Sequence, residues 1–181
     1  MLILEKVWAK IFGSYQRIEA GTAGEAMYPL TGCPHQFFIH DTDVKNMDKF
    51  WEKLLYSDKM KFPMCTAVAS QTDESLTKST VKSVGLVDAH AYSLIAAKVI
   101  TLDNGKSERL IQIRNPWGRK EWEGDWGDKS AKWTESTKKQ VNLQDINDGC
   151  FWIAFKDYVK FFYITTICYY YEDQFDNFLA D

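Results

Sequence analysis

The chain is 181 residues long, about one domain's worth of polypeptide, with Lys+Arg 22 against Asp+Glu 25 and a formal net charge of −3. That balance excludes a general nucleic-acid binder with a clustered basic face, and 45% hydrophobic with 15% aromatic residues excludes wholesale disorder. No apolar run reaches the roughly 18 residues a bilayer span needs, and no basic-then-apolar leader opens the chain, so a soluble globular piece is expected.

Residues 2–12 (LILEKVWAKIF) carry apolar side chains at helical spacing, and Gly13 offers a stop. A second short helix is predicted from Ala23 to Leu30, closed by the turn cluster Thr31 to Pro34. Residues 35–40 (HQFFIH) read as a buried strand, with His35 and His40 as strand-edge residues rather than ligands. Asp41 or Thr42 caps a third predicted helix running to about Tyr56. Beyond Pro63 the period changes, and segments 64–70, 90–102, 109–114 and 151–155 read as strands. Asp103, Asn104 and Gly105 have hairpin-turn chemistry. Residues 117–142 lack periodicity but hold Trp117, Trp122, Trp126 and Trp133, which implies a loop pinned onto the body. The Lys-rich stretch 129–139 reads as solvated surface. A short helix over 157–162 and a last strand over 164–171 close the domain, giving an α+β layout.

Cys33, Cys65, Cys150 and Cys168 are widely spaced and without a C-x-x-C pair. They match neither a zinc site nor a dense secreted disulfide scaffold, and read as reduced thiols in a reducing, cytoplasmic or other intracellular compartment.

The informative pair is His90, in the segment Asp88 to Ser93, and Asn115, in the segment Arg114 to Gly118. A hairpin centred on 103–106 brings the two together across 25 residues. An Asn oxygen can accept from imidazole Nδ1–H, which fixes the tautomer and leaves Nε2 to take a proton from a nucleophile. Trp117 would shield that bond from water. Spacing alone favours a satisfied strand-end histidine beside a plain turn.

The segments GLVDAHAYSLIAAKVI and RLIQIRNPWGRKEWEGDWGDKSAKW resemble the calpain family of cysteine endopeptidases. The similarity extends through LEKVWAKIFGSYQRI, AMYPLTGCP, DGCFWIAFKDYVKFF and ITTIC, covering residues 2–168. The resemblance implies a papain-like half: an antiparallel, barrel-like sheet with N-terminal helices and helices packed at one side. In the family the catalytic core has two subdomains, and residues 1–172 resemble the second, with 173–181 the start of a linker or tail. The resemblance makes His90 the general base and ion-pair partner, Asn115 its orienter and Trp117 the flanking ring. The family's nucleophile lies in the first subdomain, within a Gln-Gly and Asp-Cys-Trp pattern that is missing here. No nucleophile is therefore expected in this chain. Met1 stands directly before a helix that resembles an interior family helix, so a longer native polypeptide is expected.

The family also binds Ca²⁺ in its second subdomain, and the resemblance places Glu121, Asp128, Asp148 and the carbonyl of Ile146 at matching positions. Cys150 departs from the pattern, standing where the family commonly has an acidic residue. The implied function is the His/Asn-bearing half of a calcium-dependent cysteine endopeptidase, inert alone and joined natively to a Cys-bearing subdomain. Its products would be the limited cleavage fragments of intracellular protein substrates. The alternative is a non-catalytic calpain-like regulatory or binding module.

Overall fold

A computed structural model of the chain describes residues 2–68, 78–144 and 146–171. In chain order the elements are α1 (Leu2–Phe12), a 3₁₀ turn (Gln16–Ile18), α2 (Ala23–Thr31), β1 (His35–Ile39), α3 (His40–Asp43) and α4 (Met47–Lys59). Then follow β2 (Met64–Val68), α5 (Lys78–Ser83), β3 (His90–Thr101), β4 (Ser107–Arg114), α6 (Glu135–Val141), β5 (Cys150–Ala154), α7 (Phe155–Phe161) and β6 (Ile164–Cys168). The six strands form one sheet in the order β1-β6-β2-β3-β4-β5, each neighbouring pair antiparallel. The sheet is open, with β1 and β5 as its edges. The α+β architecture expected of a papain-like half is therefore present.

The helix starts follow their capping chemistry. Thr22 and Glu25 close a capping box at α2, and Gly32 ends that helix with a left-handed φ of 67°. Asn46 caps α4 through the Lys49 amide, which displaces the predicted start at Asp41 or Thr42. Asp43 instead folds the chain into the short α3, accepting from the Ile39 amide at 2.9 Å.

One sheet face carries the main core. Phe50, Trp51 and Leu54 of α4 and Phe155, Tyr158 and Phe161 of α7 pack with Met64, Val68, Tyr92, Leu94 and Ile113. The aromatic loop covers the opposite face: Trp126, Trp133 and Val141 cluster with Ile100, Leu110 and Trp152. A bulge between Leu94 and Ala96 resets the alternation of β3, so that one strand serves both cores. Trp122, Trp126 and Trp133 are buried, and the indoles of Trp122 and Trp133 donate to the carbonyls of Asp125 and Gly127 at 2.8 Å. The pinned loop is thus borne out, although its end is the helix α6 rather than irregular chain.

β6 stops at Cys168, so Tyr169 to Tyr171 lie beyond the strand predicted to include them. Residues 69–70 of the predicted second strand, and the predicted tail 173–181, lie outside the described residues. His40 is not a strand-edge residue: it opens α3, is buried, and bonds the Phe162 carbonyl and the Thr165 hydroxyl. Among the described residues no helix is long and apolar enough to cross a membrane.

Candidate active site and its relatives

His90 is the first residue of β3, and Asn115 follows directly on the last residue of β4. The β3–β4 hairpin turns at Asp103 to Gly105, where the Leu102 amide donates to Lys106 at 2.7 Å and Gly105 takes φ 79°. With Thr101 opposite Ser107 and Ser93 opposite Arg114, the register delivers both residues to one end of the sheet. His90 Nε2 lies 3.0 Å from Asn115 Oδ1.

Asn115 is fully buried and its amide can be oriented only one way. Its Nδ2 donates to the Lys120 carbonyl at 3.1 Å, and its Oδ1 accepts from the Trp117 amide at 3.0 Å. Oδ1 therefore faces the imidazole as an acceptor, and His90 Nε2 must carry the donated proton. This reverses the expected ring assignment. Nε2 is the anchored nitrogen, and Nδ1, with no hydrogen-bond partner among the described residues, is the one left for a reacting group. The reason is tertiary: the backbone of Trp117 and Lys120 sets the amide, and β3 sets which edge of the ring meets it.

The rings of two neighbours confine the imidazole. Trp117 lies 4.3 Å away between centroids and Tyr92 4.9 Å away, edge-on. Trp117 remains 52% exposed with Lys120 Nζ 5.5 Å from its ring centre, so it covers one side of the His90–Asn115 bond while facing solvent. Burial pushes the Tyr92 phenol up to about 12, and its oxygen accepts from the Val87 amide at 2.8 Å. Tyr92 thus stays neutral and orders the segment leading into His90.

One site residue, Gly149, escaped the sequence reading, and Glu121, expected only at a calcium position, has a second role beside it. Gly149 has φ 87°, and a Cβ there would stand 2.5 Å from the Asn115 carbonyl oxygen. The close approach lets the Asn115 amide donate to the Gly149 carbonyl at 2.8 Å. Glu121 then holds Gly149, its Oε1 accepting the glycine amide at 2.8 Å. The signal in the sequence was the Asn147-Asp148-Gly149 turn pattern, but nothing in it showed what the turn rests against.

The four cysteines are all free, and none is hydrogen-bonded to His90 among the described residues. Cys33 and Cys168 are buried. Cys65 pairs with Ser93, three residues from His90 on β3, so its side chain leaves the other face of the sheet. Burial raises the Cys65 thiol, and burial followed by the Asp148 charge raises Cys150 to about 11.

The carboxylates at the expected calcium positions flank two adjoining clefts. Glu121 and Asp128 line one of about 430 Å³, and Asp128 lines the next, of about 350 Å³, with Asp148 and Cys150. The donors are hard oxygens of the right chemistry, whereas the protonated Cys150 thiol is not. Their present bonds point elsewhere: Glu121 to Gly149, Asp148 Oδ1 to the Cys150 amide at 2.8 Å, and the Ile146 carbonyl to the Asp148 amide at 2.8 Å. Among the described residues no three Asp, Glu, His or Cys side chains converge into a metal-holding group.

An open antiparallel sheet with an imidazole and a buried amide paired at one strand end is consistent with a papain-like half domain. The family model described as calpain family cysteine protease matches residues 1–169. This chain is 33% identical over 170 residues to calpain clp-4 of Caenorhabditis elegans, 92% of this chain and 23% of that relative. It is 33% identical over 169 residues to human calpain-9, 92% of this chain and 24% of the relative. With the calpain-type cysteine protease DEK1 of Zea mays it shares 31% identity over 172 residues, 92% of this chain and 8% of that one. The chain belongs to the calpain family of cysteine proteases, and spans under a quarter of the length of these relatives.

Proposed function

We propose that this chain is the His/Asn-bearing second subdomain, residues 1–172, of a calcium-dependent calpain-type endopeptidase that cleaves intracellular proteins at limited sites. The observation that carries the reading is the His90–Asn115 bond, with the amide locked by two backbone partners and Nδ1 left open.

In this reading the nucleophilic thiol comes from a preceding subdomain of the same native chain. His90, held by Asn115, shares an ion pair with that thiol through Nδ1 and lowers its pKa, so that the thiolate is the resting nucleophile. After attack on the peptide carbonyl, Nδ1–H protonates the leaving amine. His90 then takes a proton from water as the acyl-enzyme is hydrolysed. Trp117 keeps water from competing for the Nε2–H to Oδ1 bond. The isolated chain lacks a nucleophile and oxyanion donors and is inert.

Glu121, Asp128, Asp148 and the Ile146 carbonyl are the residues we assign to calcium. A bound Ca²⁺ supplies a fixed positive charge that oxygen ligands from separate loops can share. Because Glu121 and the Asp148 loop brace Gly149, and Gly149 braces Asn115, rearranging these loops bears directly on the His90 pair. Titration calorimetry should show heat at or below millimolar Ca²⁺ that an Asp128→Ala change removes. No heat from the unaltered chain would remove the calcium assignment.

The deciding experiment uses the full parent polypeptide with a casein substrate. Activity should fall by about 10³-fold or more in His90→Ala. A parent polypeptide without peptidase activity, with a non-thiol in the nucleophile position, would instead make this chain a non-catalytic calpain-like binding module.

A further inference from the structure

His90 is reached through a strained turn. Upstream, Leu86 is buried in the main core, and its amide donates to the Val81 carbonyl at 3.1 Å. Downstream, His90 opens β3 opposite Val68. Val87, Asp88 and Ala89 must turn the chain between these fixed points. Ala89 does so at φ 49°, in the left-handed region, while Val87 and Asp88 stay out of it. A turn with positive φ at its third residue alone is the kind that calls for glycine, and an alanine there is strained by its own Cβ.

A side chain beyond the turn holds it. The Val87 amide donates at 2.8 Å to the hydroxyl of Tyr92, five residues ahead. That hydroxyl stands on a fixed post: Tyr92 is 2% exposed, and its ring packs edge-on against Phe151 at 6.2 Å and Phe162 at 5.4 Å. The same ring meets the His90 imidazole edge-on at 4.9 Å. One tyrosine therefore ties down the entry to the turn and flanks the ring at its exit. With the tie cut, relief of Ala89 toward negative φ would swing the peptide plane that precedes His90. The imidazole would then leave Asn115 Oδ1, which it meets at 3.0 Å.

We propose that Tyr92 is a positioning residue for His90. Its hydroxyl clasps the Val87 amide and holds Ala89 in the left-handed region, which keeps Nε2 on Asn115 and Nδ1 turned to the reacting thiol. The inference deepens the peptidase reading, on which its kinetic arm rests; its spectroscopic arm does not.

The first measurement is nitrogen-edited NMR of the full chain labelled at histidine, with the imidazoles neutral, which reads the tautomer of each ring; His90→Gln assigns the His90 signals. The native chain should show His90 fixed as the Nε2–H tautomer. Tyr92→Phe keeps the ring packing and deletes the hydroxyl, and should give a tautomer mixture with circular dichroism unchanged. Adding Ala89→Gly to Tyr92→Phe should restore the single tautomer, because glycine holds the turn without a clasp. Ala89→Gly alone should raise the thermal midpoint, the reverse of the usual cost of glycine. In the full parent polypeptide, Tyr92→Phe should lower kcat about tenfold with KM within about twofold, and the double variant should regain most of the loss. A fixed Nε2–H tautomer in Tyr92→Phe would overturn the proposal, as would a mixture that Ala89→Gly leaves unrelieved or a lower midpoint for Ala89→Gly alone. A tautomer shift that Ala89→Gly reverses, in a parent polypeptide without peptidase activity, would support the clasp and remove the peptidase reading alone.

Discussion

Asn115 owes its single orientation to backbone groups on either side of it, and those groups depend on a glycine. Gly149 sits where any Cβ would collide with the Asn115 carbonyl oxygen at 2.5 Å and the Gly118 Cα at 2.9 Å, in a φ that L side chains rarely adopt. Gly149→Ala should therefore cost about 1–3 kcal/mol of stability, read as a lower thermal midpoint. In the active parent polypeptide it should also lower kcat more than it raises KM, because the amide that aims His90 moves while the substrate cleft does not. An unchanged midpoint and kcat would show that the close approach is not needed. At this scale His90, Asn115 and Trp117 were legible in the sequence, because residue types in a spaced pattern carry them. The ring nitrogen that meets Asn115 was not, because amide orientation follows from the carbonyl of Lys120 and the amide of Trp117.

Among the elements, α3 and the start of β6 enclose a polar cluster within the apolar core. His40 Nδ1 donates to the Phe162 carbonyl, the Thr165 hydroxyl reaches Nε2 at 2.8 Å, and the Tyr158 hydroxyl bonds Thr165 and Thr66. Burial drives the His40 pKa down to about 4, against opposing pulls from the Phe162 and Val159 carbonyls and the Asp41 charge. The unfolded chain takes up this proton near 6.5 and the folded chain only near 4. The contribution is thus complete above about pH 6.5 and is lost as pH falls through that window, by about 3 kcal/mol in total. Denaturant unfolding at pH 7, 5.5 and 4 should show that slope in the native chain and a flatter one in His40→Gln; equal slopes would refute the assignment. On the far face, Trp133 packs edge-on against Trp126 at 4.8 Å while Thr134 caps α6. Trp133→Ala should cost about 3–5 kcal/mol, and Thr134→Ala about 1 kcal/mol, by the same denaturant measurement. The pattern of residues 35–40 and 117–142 concealed both features: an apolar run hid where the strand ends, and α6 is too short and polar for a helical stripe.

For the whole molecule, the thiols offer a direct check of the proposal that the nucleophile lies elsewhere. With Cys33 and Cys168 buried, Cys65 raised and Cys150 near 11, all four should react slowly with iodoacetamide at pH 7.5 and quickly after unfolding in guanidinium, as followed by mass. One fast thiol in the folded chain would overturn the divided active site. The sequence by itself determined the α+β class and the pinning of the tryptophan loop, and its motifs carried membership of the calpain family, from which the pairing of His90 with Asn115 was expected. These are written in local periodicity, turn chemistry and spaced residue types. The tertiary structure alone decided the strand order, the nitrogen that His90 presents, and the support of Asn115 by Gly149 and Glu121. Each of those depends on which backbone groups meet across long sequence separations, and no local pattern records such meetings.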